Sequence, residues 1–272
     1  MEHQYLNLLK LCLNSKPRKT RNSTVYSTFA HRIEHDFENG FPLITTKKVY
    51  FKAIVEELAW FLRGSTDVNE LRKKNVHIWD MNTEHRNYDA GPIYGFQWRH
   101  FGAKYTNSKD DYTDKGIDQI ENILKLIKNN PMSRRMLLSA WNPVAQPYMS
   151  LPPCHVNYQF YVENGKLSCQ MYQRSADIFL GLPFNIASTG LLLCLMAHET
   201  DLKPGKLTIC LGDVHLYENH KEVAISQLKR IPKTLPTIEI KRKKDGLHNV
   251  QIEQVLILNY NSYNKLKATM VK

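Results

Sequence analysis

The chain has 272 residues, 42% of them hydrophobic and 23% charged, with a formal net charge of +11. These are ordinary values for a soluble globular protein built as one large domain spanning 1–272. They exclude a membrane-spanning chain: no run approaches the roughly 18–20 apolar residues a span needs. The longest apolar stretch, Gly190 to Ala197, has polar residues close on both sides. The N-terminal MEHQYLNLLK lacks the basic, apolar and small-residue order of a signal peptide, so a cytoplasmic protein is expected. The sequence pI of about 9.3 calls either for an anionic partner or for nothing more than a solvated, lysine-rich surface.

In chain order, Tyr5, Leu8, Leu9, Cys12 and Leu13 stand at helical spacing. Residues 49–62 repeat the pattern with Val49, Ala53, Ile54, Leu58, Phe61 and Leu62, and Gly64 ends that helix. The polar stretch 102–116 predicts a surface loop. Ile117, Ile120, Leu124 and Ile127 predict a further amphipathic helix, stopped near Pro131. The period then changes. Val156, Tyr158, Phe160 and Val162 alternate with polar neighbours, and after Asn164-Gly165 the alternation resumes in Leu167, Cys169 and Met171. Two alternating runs around Asn-Gly predict a β-hairpin. A buried helix is expected over 184–198, strands over 206–211 and 236–241, and a helix over about 216–229. The class is mixed α/β without regular βαβ repeats, a P-loop or GxGxxG, so a doubly wound nucleotide-binding fold is not indicated. The cluster Lys241-Arg242-Lys243-Lys244 reads as a solvated strand end and turn.

The five cysteines are odd in number and widely spaced, which argues against a disulfide framework or a structural zinc site. Cys12, Cys169, Cys194 and Cys210 sit among apolar residues. Cys154 differs: it follows Pro152-Pro153 and precedes His155. If the hairpin turns at Asn164-Gly165, Cys154 and Arg174 meet at one end of the sheet. A guanidinium beside a thiol favours the nucleophilic thiolate. A buried cysteine beside a structural ion pair would look the same locally.

Longer strings carry a resemblance. They are Gly40-FPLITTKK-Val49, Glu56-ELAWFLRGST-Asp67, Ile78-Trp-Asp80, Gly91-PIYGFQWRHFGA-Lys104, Ser133-RRMLLSAWNP-Val144, Leu151-PPCH-Val156, Tyr172-QRSADIFLGLPFNIAS-Thr189 and Gly212-DVHLYENH-Lys221. Together they resemble the thymidylate synthase family from about residue 5 to residue 258. Tyr112-TDKGIDQ-Ile120 and Asn82 look most like its eukaryotic and viral branch, where nuclear access is also open to the protein. The resemblance implies an α/β fold with a large mixed β-sheet flanked by helices, in a homodimer packed sheet to sheet. It implies reductive methylation of dUMP to dTMP, with 5,10-methylenetetrahydrofolate as carbon and hydride donor and no metal.

It also implies residue roles. Cys154 would add to C6 of uracil, Glu57 would relay protons, and Tyr94 would remove the C5 proton. Arg174 would touch both thiolate and phosphate, with Ser175 a further phosphate ligand. Arg134 and Arg135 would reach the phosphate from the partner subunit, where guanidinium forks suit its oxygens. Gln173 and Asn185 would hold the base. A carboxamide can pair with both N3–H and O4 of uracil, so Asn185 argues for dUMP; as a helix N-cap residue it would fit the same position. His215 and Tyr217 would hold the deoxyribose hydroxyl. Ile78, Trp79, Asp177, Gly181 and Phe184 would line the folate pocket, Asp177 bonding to the pterin.

Two segments depart from the family. A glycine-bearing loop with a phosphate arginine is replaced by Arg18-KTRNSTVYS-Thr28, in which Arg21 or Arg18 takes the arginine's place. The Pro-His-Pro segment and apolar tail are replaced by Tyr260-NSYNKLKATMV-Lys272, ending in lysine. A looser tail would admit water. This keeps a dUMP hydroxymethylase on the same scaffold as the alternative activity, with an RNA-binding member of the family as the non-enzymatic one.

Overall fold

The structure is a computed structural model that describes residues 1–21 and 23–271. Asn22, in the glycine-free loop, and the charged terminal Lys272 lie outside the described residues.

The first helix, α1, spans Glu2–Leu13 and buries Tyr5, Leu8, Leu9 and Cys12, as their spacing predicts. Its Glu2 carboxylate accepts the backbone amides of Thr45 (2.8 Å) and Thr46 (2.7 Å), which ties the FPLITTKK segment to the helix start. Strands β1 (Pro17–Lys19) and β2 (Thr24–Asp36) follow. Sequence alternation does not reveal β2, and the reason is structural. Phe29 pairs with Asp213 and His31 with Leu211, so the register is unbroken across Ala30, which nevertheless stands at a left-handed φ of 62°. The left-handed residue breaks the alternation in mid-strand: Tyr26 is buried before it and Ile33 and His35 after it, at positions of opposite parity.

Helix α2 (Phe51–Leu62) ends as expected: Gly64, at φ 74°, donates its amide to the Phe61 carbonyl at 2.9 Å. Three short helices come next, α3 (Asn69–Lys73), α4 (Asp80–Thr83) and α5 (Tyr94–His100). α5 lies directly on α2. A Cβ added at Gly95 would stand 2.6 Å from the Phe61 carbonyl oxygen, so only glycine permits this approach. Helix α6 (Gln119–Asn129) is capped by the Asp118 carboxylate, which accepts the Glu121 amide at 2.9 Å. The 102–116 loop before it is largely exposed but held by the buried Tyr112, whose hydroxyl accepts the Thr106 amide.

Strand β3 (Leu137–Ser139) precedes the predicted hairpin of β4 (His155–Glu163) and β5 (Lys166–Asp177). Its two turn residues, Asn164 (φ 49°) and Gly165 (φ 70°), are both left-handed, as an Asn-Gly hairpin turn requires. Helix α7 (Gly181–Glu199), strand β6 (Lys203–Tyr217), helix α8 (Lys221–Leu228) and the small hairpin of β7 (Thr237–Ile240) and β8 (Val255–Leu258) complete the elements.

Two boundaries differ from expectation. β6 runs 15 residues, to Tyr217, because β2 pairs along it and β5 flanks its other side; the expected helix at 216–229 shrinks to α8. Gly212-Asp213 interrupts the apolar alternation, so only tertiary pairing makes this one strand. Helix α7 begins at Gly181, which leaves Asn185 inside the second turn and not at the N-cap. The Asp177 carboxylate serves the helix start instead, accepting the amides of Phe179 (2.9 Å) and Leu180 (3.1 Å).

The main sheet has the order β1-β2-β6-β5-β4-β3, with β5 and β6 parallel and every other pair antiparallel. This is the large mixed sheet flanked by helices that was expected. α7 packs on β5 and β6, α2 on α7, and α1 on β2. By length and composition α7 passes for a membrane span, contrary to the sequence expectation, but 78% of its apolar window is buried inside the protein. Its apolar surface is used by the core. Among the described residues no helix covers the opposite face of the sheet: Phe29 is 74%, Tyr161 57% and Tyr172 43% exposed there.

Candidate active site

The parallel pair β5 and β6 ends at one edge of the sheet, where β4 begins. This brings Cys154, residues 173–177 and residues 215–217 together. Asp177 stands opposite His215 and Ser175 opposite Asp213. Arg174 donates its amide to the Cys154 carbonyl at 2.9 Å. Its guanidinium donates to the carbonyls of Pro153 (2.8 Å) and Pro152 (3.0 Å), so it holds the segment leading into the cysteine. A register shift between His155 and Asn157 kinks β4 directly after Cys154.

The thiol is partly buried and reduced. Burial pushes its pKa up, against the lowering influence of the Arg174 charge and the Tyr94 hydroxyl. Arginine acts in the expected direction, but desolvation outweighs it in the isolated chain. Tyr94 is buried and accepts the Cys154 amide at 2.7 Å. Its ring stacks on His155, centroids 4.2 Å apart, and lies 4.9 Å from Phe61. His155 is itself buried, and desolvation lowers its pKa to about 3, so it is a neutral platform and not an acid.

Glu56 and Glu57 cannot be told apart in the sequence, but their surroundings differ. Glu56 is a buried structural anion, bonded to the Lys74 ammonium at 2.6 Å. Among the described residues Glu57 has no cation beside it and accepts only the indole N–H of Trp79, at 2.7 Å. Burial raises its pKa to about 7, the Trp79 hydrogen bond opposing. Such a carboxyl can hold or release a proton near neutral pH. Trp79 packs 6.2 Å from Tyr94, and Ile78 packs against the core beside it.

Gln173 is buried and its Nε2 donates to the Ser175 carbonyl (3.0 Å) and to Asn185 Oδ1 (2.9 Å). Because a backbone carbonyl can only accept, the amino end of Gln173 must face Asn185, and Asn185 must present its oxygen to it. The carboxamide of Asn185 is thereby oriented before any ligand arrives. A Cβ at Gly181 would lie 3.5 Å from Asp177 Cβ and 3.7 Å from Asn185 Oδ1, so Gly181 sits between the two. Phe184 is partly buried against the core in the same turn.

His215 and Tyr217 are neighbours, rings edge to face at 5.2 Å. His215 Nδ1 meets Asp213 Oδ1 at 3.0 Å, and Arg18 on β1 lies 3.6 Å from the other oxygen of Asp213. Arg21 is exposed in the turn between β1 and β2. Arg134 and Arg135 are exposed and are not brought to Cys154. Leu137 pairs with Gln159, so Arg135 falls near Tyr161 on β4. From Cys154 to that point along an extended strand is about 20 Å.

One residue near the site escaped sequence reasoning. Lys47 is buried, donates to the Phe179 carbonyl and lies 3.6 Å from the centre of the Phe179 ring. Nothing in a Lys-Lys pair marks which ammonium turns inward. The tail, expected to be loose without prolines, is fastened: Tyr260 accepts the Val49 amide (3.0 Å) and donates to the Ile44 carbonyl (2.8 Å), and Arg230 donates to the Asn264 carbonyl (2.8 Å).

A cysteine flanked by a guanidinium and a phenol thus stands with an oriented carboxamide and a carboxyl poised near neutrality. The chain belongs to the thymidylate synthase family: the family model described as "Thymidylate synthase" matches residues 3–272. It is similar to the thymidylate synthase of Herpesvirus ateles, 48% identical across 99% of this chain and 97% of that protein. It is also similar to that of Equine herpesvirus 2 (strain 86/87), 45% identical across 99% and 98%. The bifunctional dihydrofolate reductase-thymidylate synthase of Paramecium tetraurelia is 46% identical, and there the chain spans 61% of the longer relative. As a family member the chain is a methyltransferase that makes dTMP from dUMP, with methylenetetrahydrofolate as cosubstrate.

Proposed function

We propose that Cys154, Tyr94, Glu57, Asn185 and Arg174 carry out this reductive methylation within one catalytic domain, 1–272. The observation that carries the assignment is the hydrogen-bonded link from the Ser175 carbonyl through Gln173 to Asn185, which presets a uracil-reading amide at the same sheet edge as the cysteine.

Cys154 Sγ bonds to C6 of dUMP, and the displaced ring electrons move to O4. Asn185 donates an N–H to O4 and accepts N3–H, which stabilises the charge as it develops. Glu57 holds a proton close to the ring, with Trp79 orienting it. C5 then bonds to the methylene carbon of the bound cosubstrate, Tyr94 takes the C5 proton as the bond to tetrahydrofolate breaks, and hydride from that tetrahydrofolate adds to the exocyclic methylene as Cys154 is expelled, which leaves dTMP and dihydrofolate. Bound 5,10-methylenetetrahydrofolate supplies the one-carbon unit and the hydride, against Ile78, Trp79, Asp177, Gly181 and Phe184. Arg174 and Ser175, with Arg18 or Arg21 from the β1–β2 segment, take the phosphate, and His215 and Tyr217 take the deoxyribose.

The enzyme is a homodimer joined through the bare sheet face, whose exposed Phe29, Tyr161, Tyr172 and Leu137 need cover. That arrangement brings Arg134 and Arg135 to the partner's phosphate site, which they do not reach in their own chain. The dimer works in the cytoplasm. Incubation with dUMP and methylenetetrahydrofolate, with the nucleotide identified by mass, tests the activity. dTMP with an equal amount of dihydrofolate supports it, and 5-hydroxymethyl-dUMP without dihydrofolate overturns it in favour of the hydroxymethylase.

A further inference from the structure

His220 follows β6 in a short turn, Glu218–His220, and its side chain is fully buried. One face of the ring meets the candidate site. Tyr217 packs edge-on at 5.6 Å and Phe179 at 5.6 Å. The far side meets the C-terminal tail: Nε2 lies 2.8 Å from the carbonyl oxygen of Thr269. A carbonyl only accepts, so Nε2 carries the hydrogen. Asn219 Nδ2 donates to the same oxygen at 3.4 Å. Among the described residues the buried Nδ1 has no partner, and the ring's one strong bond is to the tail.

The position of that bond matters. Tyr260, Tyr263 and Asn264 are fastened to the Ile44–Val49 segment and to Arg230. Beyond them Leu266 and Ala268 contribute apolar packing. Thr269 is then held from the turn that follows Tyr217, the residue assigned to the deoxyribose. Phe179, on the other side of His220, follows Asp177 and receives the Lys47 ammonium.

We propose that His220 is a positioning residue that latches the tail at Thr269 to the nucleotide-binding wall, so that nucleotide bound against Tyr217 favours the docked tail. A buried N–H whose partner leaves loses its hydrogen bond without reaching water. The docked tail and a fixed His220 ring therefore favour each other, and anything that fixes Tyr217 acts on both. This role rests on the thymidylate synthase reading for its substrate, though the latch itself is a matter of structure alone.

The test compares wild type, His220→Phe, His220→Gln and a chain stopped after Ala268. Phenylalanine keeps a flat ring and removes the donor; glutamine restores a donor at the reach of Nε2. The first readout needs no catalysis: release of residues 269–271 by carboxypeptidase, with and without dUMP. The latch predicts slow release from wild type, slowed several-fold further by dUMP, faster and dUMP-insensitive release from His220→Phe, and recovery in His220→Gln. The second readout is kinetic. His220→Phe and the shortened chain are expected to raise KM for methylenetetrahydrofolate about ten-fold, to weaken dUMP binding by the same several-fold factor by which dUMP slows tail release in the wild type, and to divert part of the product to 5-hydroxymethyl-dUMP. If His220→Phe fails to fold, the shortened chain, which leaves the core untouched, decides the kinetic part. Tail release that ignores both dUMP and His220→Phe overturns the latch, as does an unchanged folate KM in the shortened chain. A wild type that makes no dTMP but shows nucleotide-protected, His220-dependent release overturns the activity and leaves the latch standing.

Discussion

The backbone amide of Cys154 donates to the phenol oxygen of Tyr94 at 2.7 Å. Nucleophile and proposed C5 base are thus joined through the main chain of the nucleophile. Tyr94 is also the residue that Gly95 allows α5 to press against α2. Tyr94→Phe removes both the acceptor for a buried amide and the phenol near C5. The expected result is a fall in kcat of about 100-fold or more, with a stability loss of about 1–3 kcal/mol from the orphaned amide. Steady-state kinetics and denaturant unfolding measure the two separately.

Glu57 predicts a pH dependence. Its pKa rises from 4.5 in the unfolded chain to about 7 in the fold. The folded state then binds more protons between those values, so stability is greatest at the acid end and is lost as pH rises through 7. Glu57→Gln abolishes that slope, a difference of up to about 3 kcal/mol between the ends of the window. Urea melts from pH 5 to pH 8 on both proteins check the sign; an identical slope in the variant would remove Glu57 as its source. The same variant is expected to lower kcat about 100-fold, as loss of a general acid–base group does.

Base selectivity depends on Gln173 as much as on Asn185. Gln173→Leu frees the carboxamide of Asn185 to rotate, and the rotated form offers the hydrogen-bond pattern of cytosine. The ratio of kcat/KM for dUMP over dCMP is expected to drop at least ten-fold, chiefly through dUMP, while the thiol remains titratable. A ratio that stays at the wild-type value would mean that Asn185 is oriented by something other than Gln173.

Thiol reactivity reports the balance at Cys154. Burial raises its pKa while Arg174 lowers it. At fixed pH, Arg174→Ala is therefore expected to slow alkylation of Cys154 by iodoacetamide, and Cys154→Ala to abolish turnover while dUMP still binds. Faster alkylation in Arg174→Ala would show that the arginine shields the thiol more than it activates it.

The shared site has its own test. Subunits carrying Arg135→Ala mixed with subunits carrying Cys154→Ala are expected to recover activity through one intact site per heterodimer. Heterodimers that form, as judged by mass, yet stay inactive would count against arginines acting across the interface.

Much of this site was legible because local chemistry carries it. The Asn164-Gly165 turn requires left-handed backbone, so it announced the β4–β5 hairpin and with it the meeting of Cys154 and Arg174. The apolar spacing in α1, α2 and α6 announced their buried faces, because a helix repeats every 3.6 residues whatever it packs against. Motif strings supplied the family. Tertiary structure decided the rest. β2 and the full length of β6 exist because they pair with each other in one unbroken register past the left-handed Ala30, a long-range effect that no local period records. Glu57 differs from Glu56 only by which has a lysine within reach, and Lys47 from Lys48 only by which side chain turns inward. Whether Cys154 is thiol or thiolate follows from desolvation set against one guanidinium, and burial belongs to the folded surroundings of a residue and not to its neighbours in the chain.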